Sequence, residues 1–122
     1  MRYVHLRTAD NGDSEFVDSE LRGEDRHVIE GVPPLKIAGP YDVSRIEFVQ
    51  STAAVADWQH HVAPRNQWLL ILSGRVAITV TNGERREFGS GDVILIEDTT
   101  GAGHLSTPLT DDFTFAMIHK GG

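Results

Sequence analysis

The strongest constraint on the fold of this chain is a series of short segments with strand periodicity, separated by glycine-containing turns. In residues 75–81, apolar and polar side chains alternate with the two-residue period of a half-buried strand. Asn82-Gly83 follows, and because both residues tolerate positive φ this pair is a strong hairpin signal. Residues 84–88 then predict the returning strand. No segment shows the periodicity of an amphipathic helix.

Further short strands are predicted at residues 43–51, 68–72, 93–96, 105–107 and 113–119. Many short strands with glycine-rich turns predict an all-β sandwich or barrel. The segment 68–72 is apolar at every position, so one of its faces can fill the interior. The other face needs cover from the N-terminal strands or from a second subunit, since an exposed apolar strand favours association. We therefore predict a homodimer.

The first part of the chain differs in composition from the rest. Residues 10–25 are rich in Asp and Glu, with Arg22 as the opposing base, and prolines interrupt residues 31–41. We interpret residues 1–42 as an acidic N-terminal arm with edge strands and residues 43–122 as a barrel. A length of 122 residues suits a single domain overall.

Charge and composition narrow the classes of function. Eighteen acidic against 11 basic side chains give a formal charge of −7, which disfavours nucleic-acid partners and anionic membrane surfaces. The absence of cysteine excludes disulfides, thiol catalysis and zinc–thiolate sites. Because residues 68–72 form the longest apolar run and the N-terminus has no apolar leader, we expect a cytoplasmic protein.

Residues that can carry chemistry stand at a characteristic spacing around two of the predicted strands. His61 precedes a short kink, Gln67 opens the next strand, and Gly74 follows it. Further on, Gly91 precedes a strand and a loop that lead to His104. This pattern resembles the two motifs of small single-domain bacterial cupins of an uncharacterised subgroup, with Ala63 and Glu97 at two further motif positions.

The resemblance covers residues 43–119 well and the first 40 residues only loosely. It implies a cupin-type double-stranded β-helix, that is, a jelly-roll barrel. Cupins that bind metal typically use three histidines and one glutamate, and here Ala63 and Gln67 occupy two of those four positions. His61, His104 and Gln67 are left as candidate ligands of a divalent ion such as iron, zinc, nickel or manganese. The loss of the anionic ligand leaves open a site without metal.

Other residues are candidates around this site. Arg65 offers a planar fork for a carboxylate or phosphate, and Trp58 could line the mouth of the barrel, so both join His61, Gln67 and His104 as candidate ligand-binding residues. His119 is interpreted as an ordinary strand-end residue. Glu97 and Asp98 end a strand, and solvated acids are the simpler interpretation of that pair, with acid–base chemistry as the alternative.

Three functions remain open, because cupins host many unrelated activities. The first is a module that binds a small polar or acidic molecule in the barrel, with or without a metal held by two histidines. The second is a metal-dependent enzyme of the dioxygenase, isomerase or decarboxylase type. The third is a non-catalytic interaction protein whose dimer is the functional unit. The sequence assigns no catalytic residue.

Overall fold

The computed structural model describes residues 1–51 and 60–121, which contain strands and no helix. The prediction of an all-β chain is therefore confirmed for the described part. Its strands are Arg2–Thr8 (β1), Ser14–Glu20 (β2), Glu24–Arg26 (β3), Leu35–Ile37 (β4), Val43–Gln50 (β5), Gln67–Ser73 (β6), Arg75–Val80 (β7), Arg85–Gly89 (β8), Val93–Ile96 (β9), His104–Pro108 (β10) and Thr114–Lys120 (β11).

Six strands form the larger sheet, in the order β2-β1-β9-β6-β11-β5. β1 and β9 pair in parallel, and the other neighbours in this sheet pair antiparallel. β1 thus lies inside the sheet between β2 and β9, so the N-terminal hairpin is part of the main sheet. Leu6 on β1 has no solvent exposure at all.

Three strands form a second sheet in the order β10-β7-β8, and β3 pairs with β4 as a separate ribbon. The hairpin predicted at Asn82-Gly83 is confirmed, because it joins β7 to β8 and Gly83 has a φ of 96°. Its amide donates a hydrogen bond to the carbonyl of Val80 at 3.0 Å.

The core lies between the two larger sheets. The buried cluster combines Leu6, Leu69 and Ile94 of the six-stranded sheet with Val76 and Ile78 of the three-stranded sheet. The two sheets therefore pack face to face. In the described part of the chain neither sheet closes into a barrel.

The outer face of the six-stranded sheet is also apolar around β6. Trp68 on β6 is covered there by the rings of Tyr3 and Tyr41, with centroids 5.3 and 5.7 Å away. Leu72 on the same face is half exposed.

Within residues 1–51 and 60–121, no helix is long and apolar enough to cross a membrane.

Candidate functional site

Gln67 lies on the inner face of the six-stranded sheet, in a row that runs across three strands. It is paired with Ile96 of β9 on one side and with His119 of β11 on the other. Directly paired residues share a face, so all three point toward the three-stranded sheet. Leu69 and Met117 form the next row along. Two buried polar side chains, Gln67 and His119, thus lie next to each other beside the apolar core residues of this face.

His104 approaches the same space from the opposite sheet. It begins β10 and is paired with Val80, and Ser106 is paired with Ile78. Val80 and Ile78 are buried in the core, so their partners on β10 share the inward orientation. His104 itself is 4% exposed.

His61 is joined to His104 by an isolated antiparallel bridge. The amide of each residue donates to the carbonyl of the other at 2.9 Å, and the ring centroids are 5.0 Å apart. This approach depends on Gly103, whose φ is 81° and whose missing Cβ would collide with the carbonyl group of His61. Glycine is thus required next to His104, both for its backbone conformation and for its lack of a side chain.

His61, Gln67 and His104 line one cavity of about 140 Å³. The rest of its lining is mainly apolar and comes from both sheets: Leu69, Val76, Ile78, Ile96, Ser106, Phe113, Phe115 and Met117. His61 is exposed whereas Gln67 and His104 are buried, so His61 marks the mouth of the cavity. An apolar lining with a few polar groups is typical of small-molecule sites.

Gln67 has an unusual polar atom in this cavity. Its Oε1 is buried and has no hydrogen-bond partner among the described residues. A buried acceptor without a donor costs about 1–3 kcal/mol of desolvation free energy. The amide thus provides an acceptor that a bound molecule or ion can satisfy.

His104 is held from behind by Asp98. Its Nδ1 lies 2.6 Å from Oδ2 of Asp98, and the hydroxyl of Ser14 donates to the same oxygen at 2.7 Å. Asp98 is 0% exposed, so the interpretation of this residue as a solvated strand-end acid is wrong. The physical reason is that two partners from β2 and β10 enclose the carboxylate and compensate its burial.

In His61 and His104, the hydrogen-bond partner of Nδ1 determines which ring nitrogen carries the proton. Nδ1 of His61 is 3.1 Å from the carbonyl of Val62, which can only accept, so Nδ1 donates. A carboxylate likewise makes Nδ1 of His104 the donor. When these rings are neutral, the lone pair of each is therefore on Nε2.

Arg65 is engaged beside this site rather than in the lining of the cavity. Its Nη1 is 3.2 Å from Nδ1 of His119, and Nε2 of His119 is 2.8 Å from a carboxylate oxygen of Glu47. Because a guanidinium can only donate, Nδ1 of His119 accepts and Nε2 donates to Glu47. His119 is thus a buried, doubly bonded residue, and its row neighbour is Gln67.

The remaining sequence candidates are placed as follows. Trp58 lies outside the described residues. Ala63 is buried in the core, and its amide donates to the backbone carbonyl of Asp98 at 3.0 Å. Glu97 lies 2.8 Å from Nε2 of His5 and 2.9 Å from Nζ of Lys120. It is therefore an ion-paired acid rather than part of a carboxylate pair with Asp98.

The cupin resemblance implies a divalent metal, which would need several coordinating side chains around the cavity. No group of three or more His, Asp or Glu side chains is arranged to hold a metal within residues 1–51 and 60–121. His61, His104 and Gln67 nevertheless offer two imidazole nitrogens and an amide oxygen. With Zn–N bonds of about 2.1 Å, two tetrahedrally arranged imidazoles have ring centroids about 5 Å apart. The observed 5.0 Å matches that separation, which is also an ordinary distance for two rings in contact.

Ser14 and Asp98 support His104. The sequence did not indicate Ser14, and it indicated Asp98 only as a strand-end acid. Asp98 lies two residues after the end of the buried strand β9, and this position was the available signal. Ser14 lies 84 positions away from Asp98, and nothing local to it indicates a site. No protein-family model matches this chain, and no curated protein is significantly similar to it.

Proposed function

We propose that this chain is a small cupin-type protein that binds a small polar or acidic molecule in the cavity between its two sheets. The observation that carries the proposal is the unpartnered Oε1 of Gln67 in a cavity that it shares with His61 and His104. Two facing sheets and a hairpin between the two motif regions support the jelly-roll assignment. A crystal structure in which residues 52–59 are also traced tests that assignment.

The volume of the cavity limits the size of the ligand. A cavity of about 150 Å³ can hold a molecule the size of benzene, so about 140 Å³ suits a ligand with about six non-hydrogen atoms. A hydroxyl or amino group of such a ligand can donate to Oε1 of Gln67. An acidic ligand would be bound in its undissociated form, with its own hydroxyl as the donor.

Native mass spectrometry of the gently purified protein tests this function. The proposal expects a small adduct on the wild type that is lost in Gln67→Met and His104→Ala. Leu69→Met is the matched control, since it changes the same cavity wall without removing a polar group. An adduct of unchanged occupancy in Gln67→Met and His104→Ala would place the ligand elsewhere.

A divalent metal is the second candidate occupant, and two imidazoles beside the amide oxygen of Gln67 support it. His61, His104 and Gln67 would hold the ion, which would supply Lewis-acid chemistry to a substrate oxygen. Such a site is what a metal-dependent enzyme of the dioxygenase, isomerase or decarboxylase type would require. Iron, zinc, nickel or manganese present at near-equal stoichiometry, and lost in His61→Ala and His104→Ala, would support this candidate. Metal-free protein with a bound organic molecule would contradict it.

We also propose that the protein is a homodimer. An apolar row of Val93, Leu70, Ala116 and Phe48 crosses the outer face of the six-stranded sheet. Phe48, on the edge strand β5, is 74% exposed. A second copy that packs on this face would bury the row, and edge strands of this kind favour association. A dimer whose cavity binds no ligand or metal would instead support a purely structural interaction protein.

A further inference from the structure

Asp98 makes contacts that a simple binding pocket does not require. Its carboxylate is fully buried, and one oxygen contacts both Ser14 and His104. The second oxygen, Oδ1, is buried without a hydrogen-bond partner among the described residues. A buried carboxylate is tolerated only where donors compensate its charge. The two contacts to Oδ2 therefore have to be donations, one from the serine hydroxyl and one from the imidazole.

We propose that Asp98 is a positioning residue that keeps the proton of His104 on Nδ1, so that Nε2 is left as an acceptor for the cavity. This inference rests on the proposed function and narrows its ligand class. With both rings neutral, the residues that line the cavity then carry three acceptors, Nε2 of His61, Nε2 of His104 and Oε1 of Gln67. A ligand that presents a hydroxyl or amino donor matches these atoms, whereas a dissociated carboxylate meets acceptors and the charge of Asp98 behind them.

The arrangement differs from a nucleophilic triad, although it contains a serine, a histidine and an aspartate. The hydroxyl of Ser14 donates to Asp98 at 2.7 Å, whereas a nucleophilic serine donates to the histidine. Ser14 therefore supports the carboxylate. A histidine whose Nδ1 is bonded to a carboxylate is fixed in both ring orientation and tautomer, and this is the basis for orienting metal-binding and catalytic histidines.

The tautomer of His104 is measured directly in long-range proton–nitrogen correlation spectra of the ligand-free protein, at a pH where its signals are those of a neutral ring. The wild type is expected to show a protonated Nδ1 and an unprotonated Nε2. Asp98→Asn is expected to raise the Nε2–H form severalfold, because the carboxamide can donate to Nδ1. His61 is an internal control, since its bond to the carbonyl of Val62 does not involve Asp98.

Ser14→Ala is the matched variant, because it removes a partner of Asp98 and leaves the contact to His104 in place. It is expected to retain the Nδ1–H tautomer. A wild-type spectrum dominated by the Nε2–H tautomer would overturn the proposal, and so would an unchanged tautomer in a folded Asp98→Asn variant. If that variant does not fold, the wild-type spectrum decides alone. Because no ligand is present, the result is independent of whether the cavity binds one.

Discussion

His61 and His104 hydrogen-bond to each other through their backbones, with each amide donating to the other's carbonyl at 2.9 Å. This bridge joins the segment before β6 to the first residue of β10, and it brings the two imidazoles to a centroid separation of 5.0 Å. Main-chain hydrogen bonds therefore hold the two histidines together without any bound ligand. Residues that allow the bridge should therefore matter as much as the histidines.

Gly103→Ala is expected to disrupt this bridge. An added Cβ at a φ of 81° is strained and meets the carbonyl group of His61, so we expect a loss of unfolding free energy of about 3 kcal/mol or more. Gly91→Ala is the control, because Gly91 has a φ of 89° and no atom within 4 Å of the added Cβ. Urea unfolding of both variants measures the difference. Equal losses would show that backbone strain alone matters and that the close approach to His61 does not.

Gln67→Met should separate stability from function. It replaces a buried acceptor that lacks a partner with an apolar group of similar shape, so the unfolding free energy is expected to stay the same or rise by about 1 kcal/mol. Ligand affinity is expected to fall by about tenfold or more, since one hydrogen bond is lost. Chemical denaturation and a binding titration check the two effects. A clear loss of stability would mean that Oε1 already has a partner in the folded protein.

Ser14→Ala tests whether the N-terminal hairpin is part of the site's support. Its hydroxyl donates to a fully buried carboxylate, so its removal is expected to cost about 1.5–3 kcal/mol of unfolding free energy. Ser19→Ala on the same strand is the control, because its hydroxyl makes only a 3.4 Å contact to the carbonyl of Val17. That variant should lie within about 0.5 kcal/mol of the wild type. Similar small effects in both would argue against a structural role for the Ser14–Asp98 contact.

Phe48→Glu should prevent dimerisation if the outer face of the six-stranded sheet is the interface. A carboxylate that is buried in an apolar contact is strongly unfavourable. Light scattering is expected to give twice the 13.5 kDa chain mass for the wild type and the single-chain mass for the variant. Leu109→Glu, outside this face, should remain dimeric. A monomeric wild type at working concentrations would contradict the interface outright.

The local strands and turns could be predicted from the sequence, whereas most contacts between distant segments could not. Alternation and the Asn82-Gly83 turn located β7 and β8, because both signals depend only on neighbours in the chain. Motif spacing selected His61, Gln67 and His104, which the structure brings to one cavity. It did not indicate that Arg65 contacts His119 or that Asp98 is buried against Ser14. Those contacts join distant segments, and the chemistry of a carboxylate is the same in sequence whether it is solvated or enclosed.

The most direct test of the proposed cavity is a set of titrations with small polar fragments, namely glycerol, propane-1,2-diol, acetamide and acetate, followed by NMR. The side-chain amide of Gln67, the imidazole protons of His61 and His104 and the methyl group of Met117 report on the cavity. At least one donor-bearing fragment is expected to shift all of these signals together in the wild type, and to lose most of that effect in Gln67→Met. If no fragment shifts them, or if binding is unchanged in Gln67→Met, the cavity is not the ligand site.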